Sequence, residues 1–198
     1  MTRKDLFRMI TVMTLVTALC GGALAMVKIN TKEQIEYQQI LFIKEPALKK
    51  IFPDSYDNNP VSDRITIDLD QDGQDQELTV FIAKKQDRII SVAFESYGTG
   101  YGGPVGVMLA IDPEENRLQG AAVTTHSETP GLGTKIIDVA DFGQQFEDVP
   151  LDTEFRLRSE GGSIHGITGA TVSSSAMTNA VRRGVAMYRD FQDHPELD

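Results

Sequence analysis

Residues 89–125, IISVAFESYGTGYGGPVGVMLAIDPEENRLQGAAVTT, decide the fold. They contain three short apolar runs, Ile89–Glu95, Val105–Ile111 and Leu118–Thr125, separated by a glycine-rich loop and a Glu115-Asn116 turn. Each run has strand length and turn residues at both ends, which predicts β-structure and not helix. Upstream, Arg64–Leu69 and Glu77–Ala83 extend the pattern, with Asp72-Gly73 and Gln86-Asp87 as the intervening turns. Five strands joined this tightly form an antiparallel meander. Downstream the character changes. A loop at 128–136 precedes a short helix near Phe142–Phe146, a strand at Glu154–Arg158 and a helix from Val172 to about Phe191. Strands first and helices after them predict an α+β class, a mainly antiparallel sheet with flanking helices.

The N-terminus is a different kind of sequence. Met9 to Val27, MITVMTLVTALCGGALAMV, has no charge over 19 residues, close to the ~20 a helix needs to cross a bilayer. Arg3, Lys4 and Arg8 precede it, so the positive-inside bias places residues 1–8 in the cytoplasm and the body outside. A cleaved signal peptide competes with a retained anchor, because Ala23-Leu24-Ala25 has the form of a cleavage site. A lipoprotein fits less well, since Leu19 stands where a small residue would precede Cys20. Either leading alternative exports the rest of the chain. Thr31-Lys32-Glu33-Gln34 has capping-box spacing and predicts a helix start, with Pro46 kinking the helix that follows. The turn-rich PDSYDNNP of 53–60 closes this stretch. The expected organisation is therefore a tail at 1–8, a span at 9–27, a linking helix and turn at 28–60, and an exported domain at 61–198.

Charge and cysteine content exclude several function classes. The net charge is -10, and once residues 1–28 are set aside 15 basic face 28 acidic residues, or -13. Such a body is a poor nucleic-acid binder, because phosphate neutralisation needs clustered Lys and Arg. A single cysteine, Cys20, leaves no internal disulfide and no thiolate site for zinc or iron–sulfur. Asp68, Asp70, Asp72 and Gly73 start a calcium loop, but Thr79 stands where a bidentate Glu is needed, so a solvated hairpin turn is the better account. Gly98, Gly100 and Gly103 fit G-x-G-x-x-G, yet PVGVMLAI after them is a strand and not the helix a dinucleotide requires. His126, His165 and His194 form no i,i+4 pair, and the hydroxyls of Ser173–Ser175 lack a hydrolase context. No catalytic or metal-ligating residue emerges.

The segment Thr168-Gly169-Ala170-Thr171-Val172-Ser173-Ser174 carries the most chemistry. Small residues open a helix whose first N–H groups are unpaired and bear the positive end of the dipole, which suits a phosphate. Ser and Thr also favour such positions simply as caps. Both readings stand on the residues alone.

Three blocks in this chain resemble one family. T-G-A-T at 168–171 is similar to the S/T-G-A-T motif of flavoproteins that carry FMN esterified through its phosphate to the last Thr. Glu128-Thr129-Pro130-Gly131-Leu132-Gly133 resembles the E-T-P-G-L-G loop of the same proteins, and Gly100-Tyr101-Gly102-Gly103 their glycine-rich stretch. The order of blocks is kept, and with the N-terminal anchor the resemblance spans nearly the whole chain. The family is RnfG/RsxG, the FMN-binding G subunits of the Rnf ion-translocating electron transport complex. Its close relatives are the C subunits of the sodium-pumping NADH:quinone reductase. One departure is His165, at the position where the family's D-x-x-S/T-G-A-T places Asp.

The resemblance implies FMN joined by a phosphodiester to Thr171, with Thr168, Gly169 and Ala170 shaping the turn. It implies Glu128, Thr129, Leu132 and Gly133 along the ring or ribityl chain. It further implies an electron-relay subunit of a ferredoxin:NAD-type ion-translocating complex, anchored in a bacterial inner membrane beside other membrane and soluble subunits. An ApbE-type flavin transferase, using FAD and a divalent metal, would attach the flavin. Export independently favours a tethered cofactor, since a diffusible one would be lost. Two alternatives use fewer features: a free-standing exported flavin carrier or reductase, and an exported binding module in which Thr171 is only a cap.

Overall fold

The computed structural model describes residues 3–53, 55–71 and 74–197. The chain forms two compact units, one ending at Leu41 and one beginning at Phe42. In the first, helix α1 covers Arg3–Gln39, and its stretch Arg3–Lys32 is long and apolar enough to cross a membrane. Its apolar residues are exposed within the unit. The predicted helix start at Thr31 is not one. Thr31 lies inside α1 and its hydroxyl donates to the Val27 carbonyl at 2.9 Å. Capping-box spacing has no meaning where the preceding turn is already helical. A π-helical turn at Ile40–Lys44 follows, then α2 at Glu45–Ile51 with Pro46 in its first turn. Pro46 has no N–H to donate and its ring crowds the carbonyl four residues back, so the widened turn is where the ladder gives way.

The second unit is built on a six-stranded sheet in the order β1-β2-β3-β4-β5-β6, every neighbouring pair antiparallel. Its strands are β1 Ile65–Gln71, β2 Gln74–Lys85, β3 Arg88–Thr99, β4 Pro104–Asp112, β5 Arg117–Thr125 and β6 Val149–Pro150. All five predicted meander strands are present. The β2–β3 turn holds Gln86 and Asp87 at φ 51° and 61°, the left-handed pair that suits a two-residue hairpin. The acidic candidate at 68–73 lies partly outside the described residues, at Asp72 and Gly73.

Strand alternation sorts the side chains onto two faces. One face presents Ile67, Val80, Ile82, Val92, Phe94, Val107 and Leu109 to a core completed by helix α5, Thr171–Phe191, which packs on β3 and β4. The other presents Phe81, Ala83, Ala93, Met108 and Ala110 to Ala47, Leu48, Ile51 and Phe52 of α2 and the residue after it. The compact unit thus begins well before residue 61, where the turn-rich segment set the expected boundary. Because β3 and β4 are covered on both faces, Val92–Phe94 and Val105–Ile111 read as continuous apolar runs and not as alternating ones.

The predicted strand at Glu154–Arg158 is absent. Phe155 and Leu157 are buried in alternation there, but only one bridge forms, Leu157 to Ile164, and a 3-10 turn follows at Arg158–Glu160. The sixth strand is instead Val149–Pro150, paired with Arg117 and Leu118. Two short helices stand between β5 and β6: α3 at Lys135–Asp138 and α4 at Ala140–Gln144, the latter slightly ahead of its expected position.

Candidate functional site

Three segments far apart in sequence meet at the N-terminal end of α5. The first is the β3–β4 connection, closed by the Gly100 N–H donating to the Gly103 carbonyl at 2.9 Å. The second is the loop after β5, where Leu132 and Gly133 donate to the Thr129 carbonyl at 3.2 and 2.9 Å. The third is the turn leading into α5, in which Gly169 has φ +81°, a conformation that favours glycine. Close approach requires small residues here. A Cβ on Gly98 would lie 1.9 Å from the Ala176 carbonyl oxygen, and one on Gly102 1.9 Å from the Ser127 carbonyl oxygen. β3 and the glycine loop can therefore touch α5 and the 127–133 loop backbone to backbone.

Glu128 joins all three segments. Its residue is only 5% exposed. The carboxylate accepts from the Ser173 hydroxyl on α5 and from the Gly102 N–H at 2.9 Å. Burial alone would raise its pKa. The Ser173 bond, the Gly102 and Tyr101 N–H groups and nearby His126 outweigh that and hold it below the usual carboxylate range. Gly100 and Gly133 leave room for it: a Cβ on either would sit 2.4 Å and 2.6 Å from the two carboxylate oxygens. The group is an ionised buried cross-link.

The start of α5 is open. Its N-cap is Ala170, and no side chain among the described residues caps it. Thr171 occupies the first helical position, with its side chain exposed and no hydrogen bond to any described residue. The capping account of Thr171 is thereby overturned: a cap stands one position earlier and accepts from the second or third helical N–H. What remains is a hydroxyl beside free N–H groups at the positive end of a 21-residue helix.

A cleft of about 570 Å³ opens over this point, lined by Tyr101, Glu128, Thr129, Leu132, Gly133 and residues 169–173. Seven of the eight residues expected to form a site thus share one cavity: Glu128, Thr129, Leu132, Gly133, Gly169, Ala170 and Thr171. Thr168 is exposed in the adjoining turn and does not line it. Tyr101, Val172 and Ser173 join them without having been expected there. Tyr101, 79% exposed, Leu132, 52%, and Val172, 51%, put three apolar side chains around the opening. Their signal was adjacency to the motif glycines and Thr171, and nothing in residue type separated them from ordinary surface. His165 borders a different hollow, with Phe142, Gln145 and Ile167.

Comparison with known proteins converges on this region. A family model, FMN-binding domain, matches residues 100–186, a span that runs from the glycine loop into α5 and contains every lining residue. A Vibrio vulnificus protein, named as the G subunit of an ion-translocating oxidoreductase complex, is 32% identical over 87% of this chain and 85% of that one. Its Methanosarcina acetivorans namesake is 30% identical, over 92% and 94%. The chain belongs to the family of G subunits of ion-translocating oxidoreductase complexes. Among solved structures, the C subunit of the Na(+)-translocating NADH-quinone reductase from Parabacteroides distasonis is similar at 22% identity, with a TM-score of 0.46 over 59% of this chain and 63% of that chain.

The cleft of this family member fits the cofactor named for its domain. The free N–H groups of α5 and the unengaged Thr171 hydroxyl suit a phosphate, and Tyr101, Leu132 and Val172 offer apolar surface to a flat ring. The ionised Glu128 carboxylate keeps its charge while bonded to the Gly102 N–H and the Ser173 hydroxyl, so within the lining it is the α5 N–H groups that suit a phosphate.

Proposed function

We propose that this protein carries FMN as a phosphodiester on Thr171 and serves as an electron-relay subunit of a ferredoxin:NAD-type ion-translocating complex. The observation that carries the attachment is the exposed, unbonded Thr171 hydroxyl at the uncapped start of α5, inside the cleft formed with the 128–133 loop. On an ApbE-type transferase, the Thr171 oxygen bonds to the FMN-side phosphorus of FAD. The pyrophosphate P–O bond breaks, AMP leaves with that electron pair, and the hydroxyl proton is released. No electron is exchanged in this step.

Bound FMN supplies one- and two-electron chemistry. The chain's part is retention, position and exclusion of water. The first N–H groups of α5 offset the phosphate charge. Leu132, Tyr101 and Val172 shield the ring, and Glu128 fixes the loops around it. With only one cysteine in the chain, electron transfer through the domain depends on an organic cofactor held in place. Retention matters on this reading because the domain would face the periplasmic side of a bacterial inner membrane, with α1 kept as its span; the basic residues Arg3, Lys4 and Arg8 ahead of an apolar helix support that orientation.

Denaturing gel electrophoresis under ultraviolet light tests the attachment. Full-length protein from a host with the transferase should fluoresce and gain the mass of one FMN less one water, and Thr171→Ala should do neither. A dark wild-type band overturns it. Topology is tested by Glu114→Cys, on an exposed turn. A membrane-impermeant maleimide should label it in intact spheroplasts, and labelling only after permeabilisation overturns the orientation.

A further inference from the structure

The main chain leading into the Thr168–Thr171 turn is held from outside the motif, by a side chain that no motif includes. Gln145 follows α4, between Phe142 and Phe146, which are buried and meet edge-to-face at 5.6 Å. Phe146 also stacks on Phe155 at 6.4 Å. The backbone at 145 is therefore rigidly seated. From it the carboxamide makes two bonds to one residue: Gln145 Oε1 accepts from the His165 N–H at 2.7 Å, and Gln145 Nε2 donates to the His165 carbonyl at 3.1 Å. A side-chain amide doing both imitates the pairing of a neighbouring strand, and it fixes where residue 165 lies and which way its peptide planes face. Further along, the Ser174 hydroxyl accepts from the Ile167 N–H at 3.0 Å and donates to the Ala170 carbonyl at 2.9 Å. The lead-in is thus tied to α4 at one end and to α5 at the other, and Thr171 is the next residue.

We propose that Gln145 is a positioning residue for flavin attachment: by fixing the His165 backbone it sets the path of the lead-in, so that the Thr171 hydroxyl is presented to the transferase in one place. The inference rests on covalent attachment at Thr171 as proposed above. It also accounts for the departure at 165. The clamp grips only backbone, and the His165 side chain is exposed, so exchanging His for Asp leaves both bonds in place.

Purified transferase, FAD and divalent metal, with the full-length chain as protein substrate, provide the test. Gln145→Ala should lower kcat for flavin incorporation by about 10- to 100-fold, the cost of a misplaced reacting atom, with little change in KM for the protein substrate. His165→Ala and His165→Asp should load as wild type does. Gln145→Glu gives the decisive signature. An ionised carboxylate can accept from the His165 N–H but cannot donate to its carbonyl, whereas a protonated carboxyl does both. Its loading rate relative to wild type should therefore rise as pH falls towards the carboxyl's pKa. A flavin-independent readout is amide exchange in unloaded Thr171→Ala protein, where adding Gln145→Ala should remove protection at His165 and leave the β3 and β4 amides protected. Gln145→Ala loading at the wild-type rate overturns the inference. So does a Gln145→Glu to wild-type ratio that stays flat with pH, which remains measurable if the alanine variant does not fold. A dark wild-type band would instead refute attachment at Thr171, leaving the exchange result as the separate measure of the clamp.

Discussion

The two ends of α5 are built on opposite plans. At its C-terminal end Tyr188 and Phe191 are buried, and Phe191 meets Phe94 and Tyr188 edge-to-face at centroid distances of 5.1 and 5.6 Å. At its N-terminal end Thr171 and Val172 are exposed and no described side chain supplies a cap. One end is finished by packing, and the other presents its unpaired groups to a cleft. Helix termini normally have their orphan N–H groups satisfied locally. Leaving them free is tolerable here because the aromatic end, and Gly98 and Gly184 where β3 and β4 come close, hold the helix elsewhere. Stability and ligand capture are thus assigned to different ends of one element.

Substitutions at each end should separate these two properties. The largest effect expected is on chemistry with none on folding: Thr171→Ala should abolish in-gel flavin fluorescence while the unloaded protein keeps its Tm, because an exposed, unbonded hydroxyl contributes little. Next, Phe191→Ala should destabilise by about 3–5 kcal/mol in urea unfolding, as large-to-small core changes do, yet still load flavin below its lowered Tm. If loss of fluorescence instead tracked loss of stability in both variants, the division between the ends would fail.

Glu128 lies between these extremes, since it ties the open end to the sheet loops. Its pKa is depressed in the folded state, so the stability it adds is complete above the unfolded value of about 4.3 and disappears as pH falls through the folded pKa. Thermal unfolding followed from pH 7 downwards should show this acid-side loss in the wild type. Glu128→Gln should flatten that part of the profile and cost about 1–3 kcal/mol at pH 7, because the amide cannot accept from every donor aimed at the carboxylate. Equal acid slopes in the two proteins would remove Glu128 from its assigned role. The smallest effect comes from making the ends alike. Ala170→Ser places a hydroxyl at the N-cap, which should stabilise unloaded protein by about 1 kcal/mol and slow flavin loading, because the new side chain takes an N–H otherwise available to the phosphate. Faster loading would contradict the use assigned to those N–H groups.

The five meander strands were legible because turn chemistry and apolar runs are local signals, and the structure moves their ends by only a few residues. The errors occur where local pattern and tertiary partner disagree. Phe155 and Leu157 do alternate, but the segment has one bridge to Ile164 and no ladder, so alternation there records burial without a strand. Val149–Pro150 is too short for any period to show, and exists as a strand only because Arg117 and Leu118 lie beside it. The Thr31 spacing failed for the converse reason, an end signal placed inside a helix that simply continues. In the site, Glu128 was expected along the ring or ribityl chain, and it does line the cleft; what no local signal showed is that its carboxylate bonds Ser173 and Gly102, partners 45 and 26 residues away.

By itself the sequence determined the long apolar N-terminal helix, the meander, the strongly acidic body, and the motif that ends at Thr171. Each depends on residues within one or two turns or strands of one another, where spacing fixes geometry. Only the tertiary structure decided that Ala170, and not Thr171, is the N-cap, that three distant loops close a cleft around a buried carboxylate, and that Gln145 grips the lead-in to the motif. Those facts depend on contacts made across the fold, where the packing of α5 on the sheet, and not the order of residues, sets the distance between groups.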